Sequence, residues 1–142
     1  MKVEPVWIDE CEILAFHEEL LARFGGAAGI RDAGLLESAL SRPLQLFHYG
    51  NPSLPEMAAA YGAGIVKNHP FLDGNKRTGF LAAALFLETN GYRFEATEEE
   101  VVERTLALAA GAIGGAEYAA WLERASTPLA RDADPEGFGT NG

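Results

Sequence analysis

Apolar residues recur at spacings of three and four along most of this chain, and glycine pairs, prolines and capping residues cut that rhythm into segments of helical length. The first segment carries Ile13, Leu14, His17, Leu20, Leu21 and Phe24, with Asp9 placed to cap it and Gly25-Gly26 to end it. Asp32 opens a second, with Leu35, Leu36, Ala39 and Leu40, expected to stop before Pro43. Residues 43–52 read as a loop or short hairpin: Leu44, Leu46 and His48 alternate with Gln45, Phe47 and Tyr49, and Gly50-Asn51-Pro52 supplies a turn. Ser53 with Glu56 forms a capping box, with Pro55 in the first turn, and opens a third helix through Met57, Tyr61, Gly64 and Ile65. A fourth helix is expected from near Asn75 to Asn90-Gly91, followed by a short extended piece, Tyr92-Arg93-Phe94. Thr97 with Glu100 reads as a second capping box, starting a fifth helix through Val101, Val102, Thr105, Leu106 and Ala109. A sixth follows Gly114-Gly115 and carries Tyr118, Trp121 and Leu122. The reading is all-α, about six helices with one small hairpin or loop. One domain covers residues 1–127, and residues 128–142, rich in Pro, Gly and Asp, form a disordered tail.

Charge narrows the function. Eleven basic against twenty-one acidic residues leave a net charge of -10, which offers no broad basic field to nucleic acid or to an anionic membrane. Cys11 is the single cysteine, so no intramolecular disulfide forms and a cytoplasmic location is expected. No signal peptide is read at the N-terminus, and the apolar run at 80–87 is too short to span a bilayer.

The densest chemistry lies at residues 67–79, Lys-Asn-His-Pro-Phe-Leu-Asp-Gly-Asn-Lys-Arg-Thr-Gly, directly before that apolar run. The first N–H groups of the fourth helix lack intrahelical partners, and the helix dipole adds partial positive charge there. Lys76 and Arg77 occupy this first turn, where cations are unfavourable unless an anion is bound; phosphate is the obvious anion. Gly74 keeps a side chain from blocking the backbone. Asp73 beside a polyphosphate calls for a cation between them, and Mg²⁺ suits one carboxylate plus phosphate oxygens. His69, in a loop stiffened by Pro70, is a proton acceptor near neutral pH. Each residue also has a plain use: His-Pro stops helices, Asp-Gly-Asn makes turns, Lys-Arg is solvated. The cationic first turn is what helix energetics leaves unexplained, and it favours a site.

These residues resemble the Fic/Doc superfamily motif His-x-Phe-x-(Asp/Glu)-(Gly/Ala)-Asn-(Gly/Lys)-Arg, complete here from His69 to Arg77. Residues 29–43, Gly-Ile-Arg-Asp-Ala-Gly-Leu-Leu-Glu-Ser-Ala-Leu-Ser-Arg-Pro, are similar to the N-terminal signature of the Doc (death-on-curing) toxin branch. Fic proteins that transfer AMP have Gly after the motif Asn and a second Arg three residues beyond the first. Here Lys76 and Phe80 stand at those positions, as in Doc toxins. The resemblance implies a toxin of a toxin–antitoxin system, an ATP-dependent protein kinase that arrests translation by passing the γ-phosphate to a hydroxyl of a translation factor, elongation factor Tu in the Doc case. AMP transfer and a catalytically silent binding module are the alternatives. Carried over, His69 is the base, Asp73 holds Mg²⁺, and Gly74, Asn75, Lys76 and Arg77 bind the ATP phosphates.

The segment from Leu44 to Ser53 corresponds to the family's flap, which could hold an extended target by strand addition, or is an ordinary interhelical loop. The family's inhibitory motif requires Glu four residues after Ser or Thr, and none stands so here. Control is therefore expected from a second chain, an antitoxin of the Phd type. His17 is read as a core or boundary histidine, His48 as a surface residue, Trp7 as packing the N-terminal arm. Arg31 and Asp32 buttress the site, or Asp32 simply caps its helix.

Overall fold

The computed structural model describes residues 2–129 and forms an all-α bundle: α1 (Glu10–Phe24), α2 (Ala33–Tyr49), α3 (Leu54–Asn68), α4 (Asn75–Thr89), β1 (Tyr92–Phe94), α5 (Glu98–Ala110), α6 (Gly115–Arg124) and β2 (Ser126–Pro128). The expected caps form. Asp9 and Ser53 accept from the N–H groups of Glu12 and Glu56, whose carboxylates return to the capping residues' own N–H groups, and Asp32 accepts from Leu35. Thr97 makes only its half of the predicted box, accepting from Glu100.

Helix α3 is the axis of the bundle. From Met57 to Val66 every residue is buried, and α2, α4 and α6 pack around it. Such burial on all sides needs small residues where backbones cross. At the α3–α4 crossing a methyl group on Gly79 would stand 2.7 Å from Val66 Cγ2 and 3.0 Å from the Gly62 carbonyl oxygen. Around this crossing lie Tyr61, Phe86, Leu87, Tyr118, Trp121 and Leu122, all essentially without solvent contact. Trp7 packs as expected, stacked on Phe86 at 6.0 Å and edge-on to Phe47 at 5.7 Å.

Two expectations fail at α2. The helix does not stop before Pro43 but continues through it to Tyr49, and residues 43–49 are therefore neither loop nor hairpin. An interior proline costs a helix about 3 kcal/mol. Tertiary contacts outweigh that cost: Pro43 itself is buried, Phe47 packs on Trp7, and the Lys2 ammonium bonds to the carbonyls of Phe47 and Gly50. The two-stranded sheet lies elsewhere, β1 against β2, with Tyr92 opposite Pro128 and Phe94 opposite Ser126. Pro128 and Leu129, assigned to the tail, belong to this closure, Leu129 donating to the Gly91 carbonyl. The rest of the predicted tail lies outside the described residues. Among the described residues no helix is long and apolar enough to cross a membrane.

Candidate functional site

The site is the short connection between the two most buried helices. Helix α3 ends at Asn68, and His69 takes the left-handed conformation (φ 54°, ψ 54°), the one non-glycine described residue with positive φ. That conformation costs on the order of 1–2 kcal/mol. It turns the chain so that His69 is exposed while Phe71, two residues on, is fully buried.

Segment 29–32 holds this turn from outside. Arg31 donates from Nε to the His69 carbonyl at 2.7 Å and from Nη2 to the Asn68 carbonyl at 2.9 Å, neutralising the end of α3. The backbone N–H groups of Arg31 and Asp32 both reach the Pro70 carbonyl, Leu72 donates to Gly29, and Ile30 bridges Phe71 in antiparallel fashion. Both readings of this pair hold: Asp32 caps α2, and Arg31 buttresses the loop. The strand-like edge beside the site is therefore 29–32, not the predicted flap at 44–53. That segment sits at the other end of α3, a helix of fifteen residues and so about 22 Å long. His48 goes with it, exposed and remote from His69.

From inside, Asn75 and His17 lock the loop. The Phe71 N–H donates to Asn75 Oδ1 at 2.9 Å and the Asn75 amide donates to the Phe71 carbonyl at 3.0 Å, with Asn75 buried. Its side chain faces the interior; only its backbone N–H remains for a ligand. His17 is buried as read, but it does more than fill the core. Its ring stacks on Phe71 at 3.8 Å and Nε2 lies 2.7 Å from the Asp73 carbonyl oxygen. A carbonyl only accepts, so Nε2 carries the proton. The available signal was an imidazole on the apolar face of α1, which a buried position obliges to find a partner.

Asp73 is exposed; Oδ1 accepts from Gly74 N–H at 3.0 Å and Oδ2 from Ala27 N–H at 3.4 Å. Gly74 is the N-cap of α4 at φ 81°, and no side chain caps the helix, so its first N–H groups are left to a ligand. Lys76 and Arg77 are exposed beside it, the Arg77 guanidinium lying 4.1 Å from the centre of the Phe24 ring.

His69, Asp73, Gly74, Asn75, Lys76 and Arg77 all line one cavity of about 1240 Å³ between α1, α4, β1 and α5. Typical small-ligand sites hold roughly 300–1,000 Å³, so a nucleotide fits with room beside it. Leu20, Phe80, Leu81, Val101 and Leu106 give its lining apolar surface, and Glu95, Glu98 and Glu100 line it as well. No cluster of three or more His, Cys, Asp or Glu able to hold a metal by itself occurs among the described residues. Asp73 keeps lone pairs free on both oxygens and adjoins the anion-ready helix end, which fits Mg²⁺ carried in with phosphate rather than a resident ion.

The family model described as Fic/DOC family matches residues 7–87. A protein named Toxin Doc from Mycolicibacterium smegmatis is 43% identical over 76 residues, which span 51% of this chain and 58% of that protein. Protein kinase doc of Escherichia phage P1 is 33% identical over 115 residues, 80% of this chain and 90% of that one.

Proposed function

This chain belongs to the Fic/DOC family, and we propose that it is a Doc-like toxin that transfers the γ-phosphate of ATP to a hydroxyl of a translation factor of the elongation factor Tu kind. The observation that carries this reading is the convergence of His69, Asp73, Lys76, Arg77 and the open end of α4 on a single cavity. Relatives named as a toxin and as a protein kinase support it, as does Lys76 with Phe80 in place of the residues of AMP-transferring Fic proteins.

The chemistry follows from positions. The apolar wall of Phe80, Leu81 and Leu106 takes the base and sugar, and the N–H groups opening α4 take phosphate oxygens. Lys76 and Arg77 neutralise the charge that gathers on the phosphoryl group, and Asp73 would hold Mg²⁺, which when bound screens the remaining charge. His69 removes the proton from the acceptor hydroxyl as its oxygen bonds to the γ-phosphorus. The bond from that phosphorus to the β–γ bridging oxygen breaks, and ADP leaves with the electron pair. Control comes from an antitoxin of the Phd type.

Incubation with ATP and elongation factor Tu, read by mass spectrometry, tests this. A phosphate on the target, absent with His69→Ala, is expected, together with growth arrest on expression without the antitoxin. An adenylyl adduct would instead favour AMP transfer, and no adduct of either kind would overturn the enzyme reading.

A further inference from the structure

We propose that a second, smaller cavity sharing His69 and Lys76 is the acceptor cleft, and that it selects a hydroxyl-bearing peptide segment with carboxylate side chains next to the hydroxyl, read by Lys67. The inference rests on the phosphotransfer reading above and names the acceptor class.

The cavity holds about 400 Å³ and is lined by Val66, Lys67, His69 and Lys76 and by Leu108 and residues 109–111 at the end of α5. It includes neither Asp73 nor Gly74, the residues that mark the phosphate end of the larger cavity. Among the described residues His69 and Lys76 alone border both spaces. A nucleotide held by the opening of α4 takes the phosphate end of the larger one, and the smaller offers a second, separate approach to the imidazole. A hydroxyl entering there gives its proton to His69 while its oxygen meets the phosphorus across the shared wall.

Charge identifies what enters. The chain carries a net charge of -10, and three glutamates line the larger cavity. The smaller is lined by two ammonium groups and no carboxylate. Such a cationic notch in an anionic surface attracts acidic segments and turns away basic ones. Lys67 is exposed in the last turn of α3, two residues before His69, and lines this cavity but not the larger one. A carboxylate paired with it is thereby held within a residue or two of the reacting hydroxyl. The last turn of α5 borders the same space; its Ala107 and Leu108 carbonyls accept from residues 111–113, which leaves those of Ala109 and Ala110 for backbone N–H groups of an extended segment.

The test uses the full chain, ATP and two fluorescent threonine peptides, one flanked by glutamates and one by lysines, with anisotropy for binding and mass spectrometry for transfer. The glutamate peptide should bind about tenfold more tightly than the lysine peptide, with ATP present as well as absent. Lys67→Glu should abolish or invert this preference with ATP affinity unchanged. Ala109→Trp, at an exposed position on the cleft, should weaken both peptides and leave ATP binding intact. Equal binding of the two peptides, a preference untouched by Lys67→Glu, or competition between peptide and ATP would overturn the proposal. Transfer to a target with no acidic preference would sink the cleft alone. Binding of the acidic peptide as described, without transfer to any acceptor, would support the cleft and sink the kinase reading.

Discussion

Asn75→Ala separates two roles for the motif asparagine, phosphate contact and loop lock. In the structure both polar atoms of the side chain are used on Phe71, which is fully buried, and Asn75 is itself only 4% exposed. Alanine leaves a buried N–H and a buried carbonyl without partners, at about 1–3 kcal/mol each. Helix propensity returns about half a kcal/mol, so the net loss is about 2–5 kcal/mol. At this chain length that lowers Tm by roughly 6–15 °C. Asn75→Asp refines the test. Its carboxylate still accepts from the Phe71 N–H but opposes the Phe71 carbonyl, and burial raises its pKa. A raised folded-state pKa means that stability is present below the unfolded value, about 4, and is lost as pH rises through the folded one. The deficit of Asn75→Asp relative to wild type should therefore be smaller near pH 4 than near pH 7. The assay is thermal unfolding at both pH values, with ATP titration calorimetry below the transition. A Tm within about 3 °C of wild type, combined with abolished ATP binding, would refute the lock and make Asn75 a direct ligand contact.

Three further outcomes follow from the same geometry. Gly26 has φ 122°, and a methyl group there would stand 2.9 Å from Asp73 Oδ2, whereas one at Gly25 (φ 81°) meets nothing within 4 Å. Both alanine variants should lose stability from backbone strain, but only Gly26→Ala should weaken Mg²⁺-dependent ATP binding by about tenfold or more in calorimetry. Gly79→Ala forces α4 off α3 and should cost about 1–3 kcal/mol in urea unfolding, partly restored by Val66→Ala, which removes the nearer of the two clashes. Tyr118 is pushed up to about 12 by burial, against a hydrogen bond with Thr105 that favours ionisation. Its neutral form is thus held by the fold, so its contribution is complete below pH 10 and about 2–3 kcal/mol disappears between pH 10 and 12. Tyr118→Phe should flatten that stretch of the stability–pH curve; identical slopes in both proteins would contradict the assignment.

What the chain alone determined is local. Asp9, Asp32, Ser53 and Thr97 cap the helices they were expected to cap, because a side chain and an N–H two or three residues away meet whatever surrounds them. The six helices, the extended piece at Tyr92–Phe94 and the gathering of His69 through Arg77 at one helix mouth were legible for the same reason. The tertiary structure decided where local preference and distant contact disagree. Pro43 argues for a break, but a buried face and contacts from Trp7 and Lys2 carry α2 past it, and with the break went the flap at 44–53. No spacing along the chain brings His17 to the Asp73 carbonyl, 56 residues away, or Arg31 to His69, 38 away. Nor does it show the Asn75 amide turned inward. These contacts exist because α1, α2, α3 and α4 close around a common core, and that closure alone places groups from separate helices within hydrogen-bond reach.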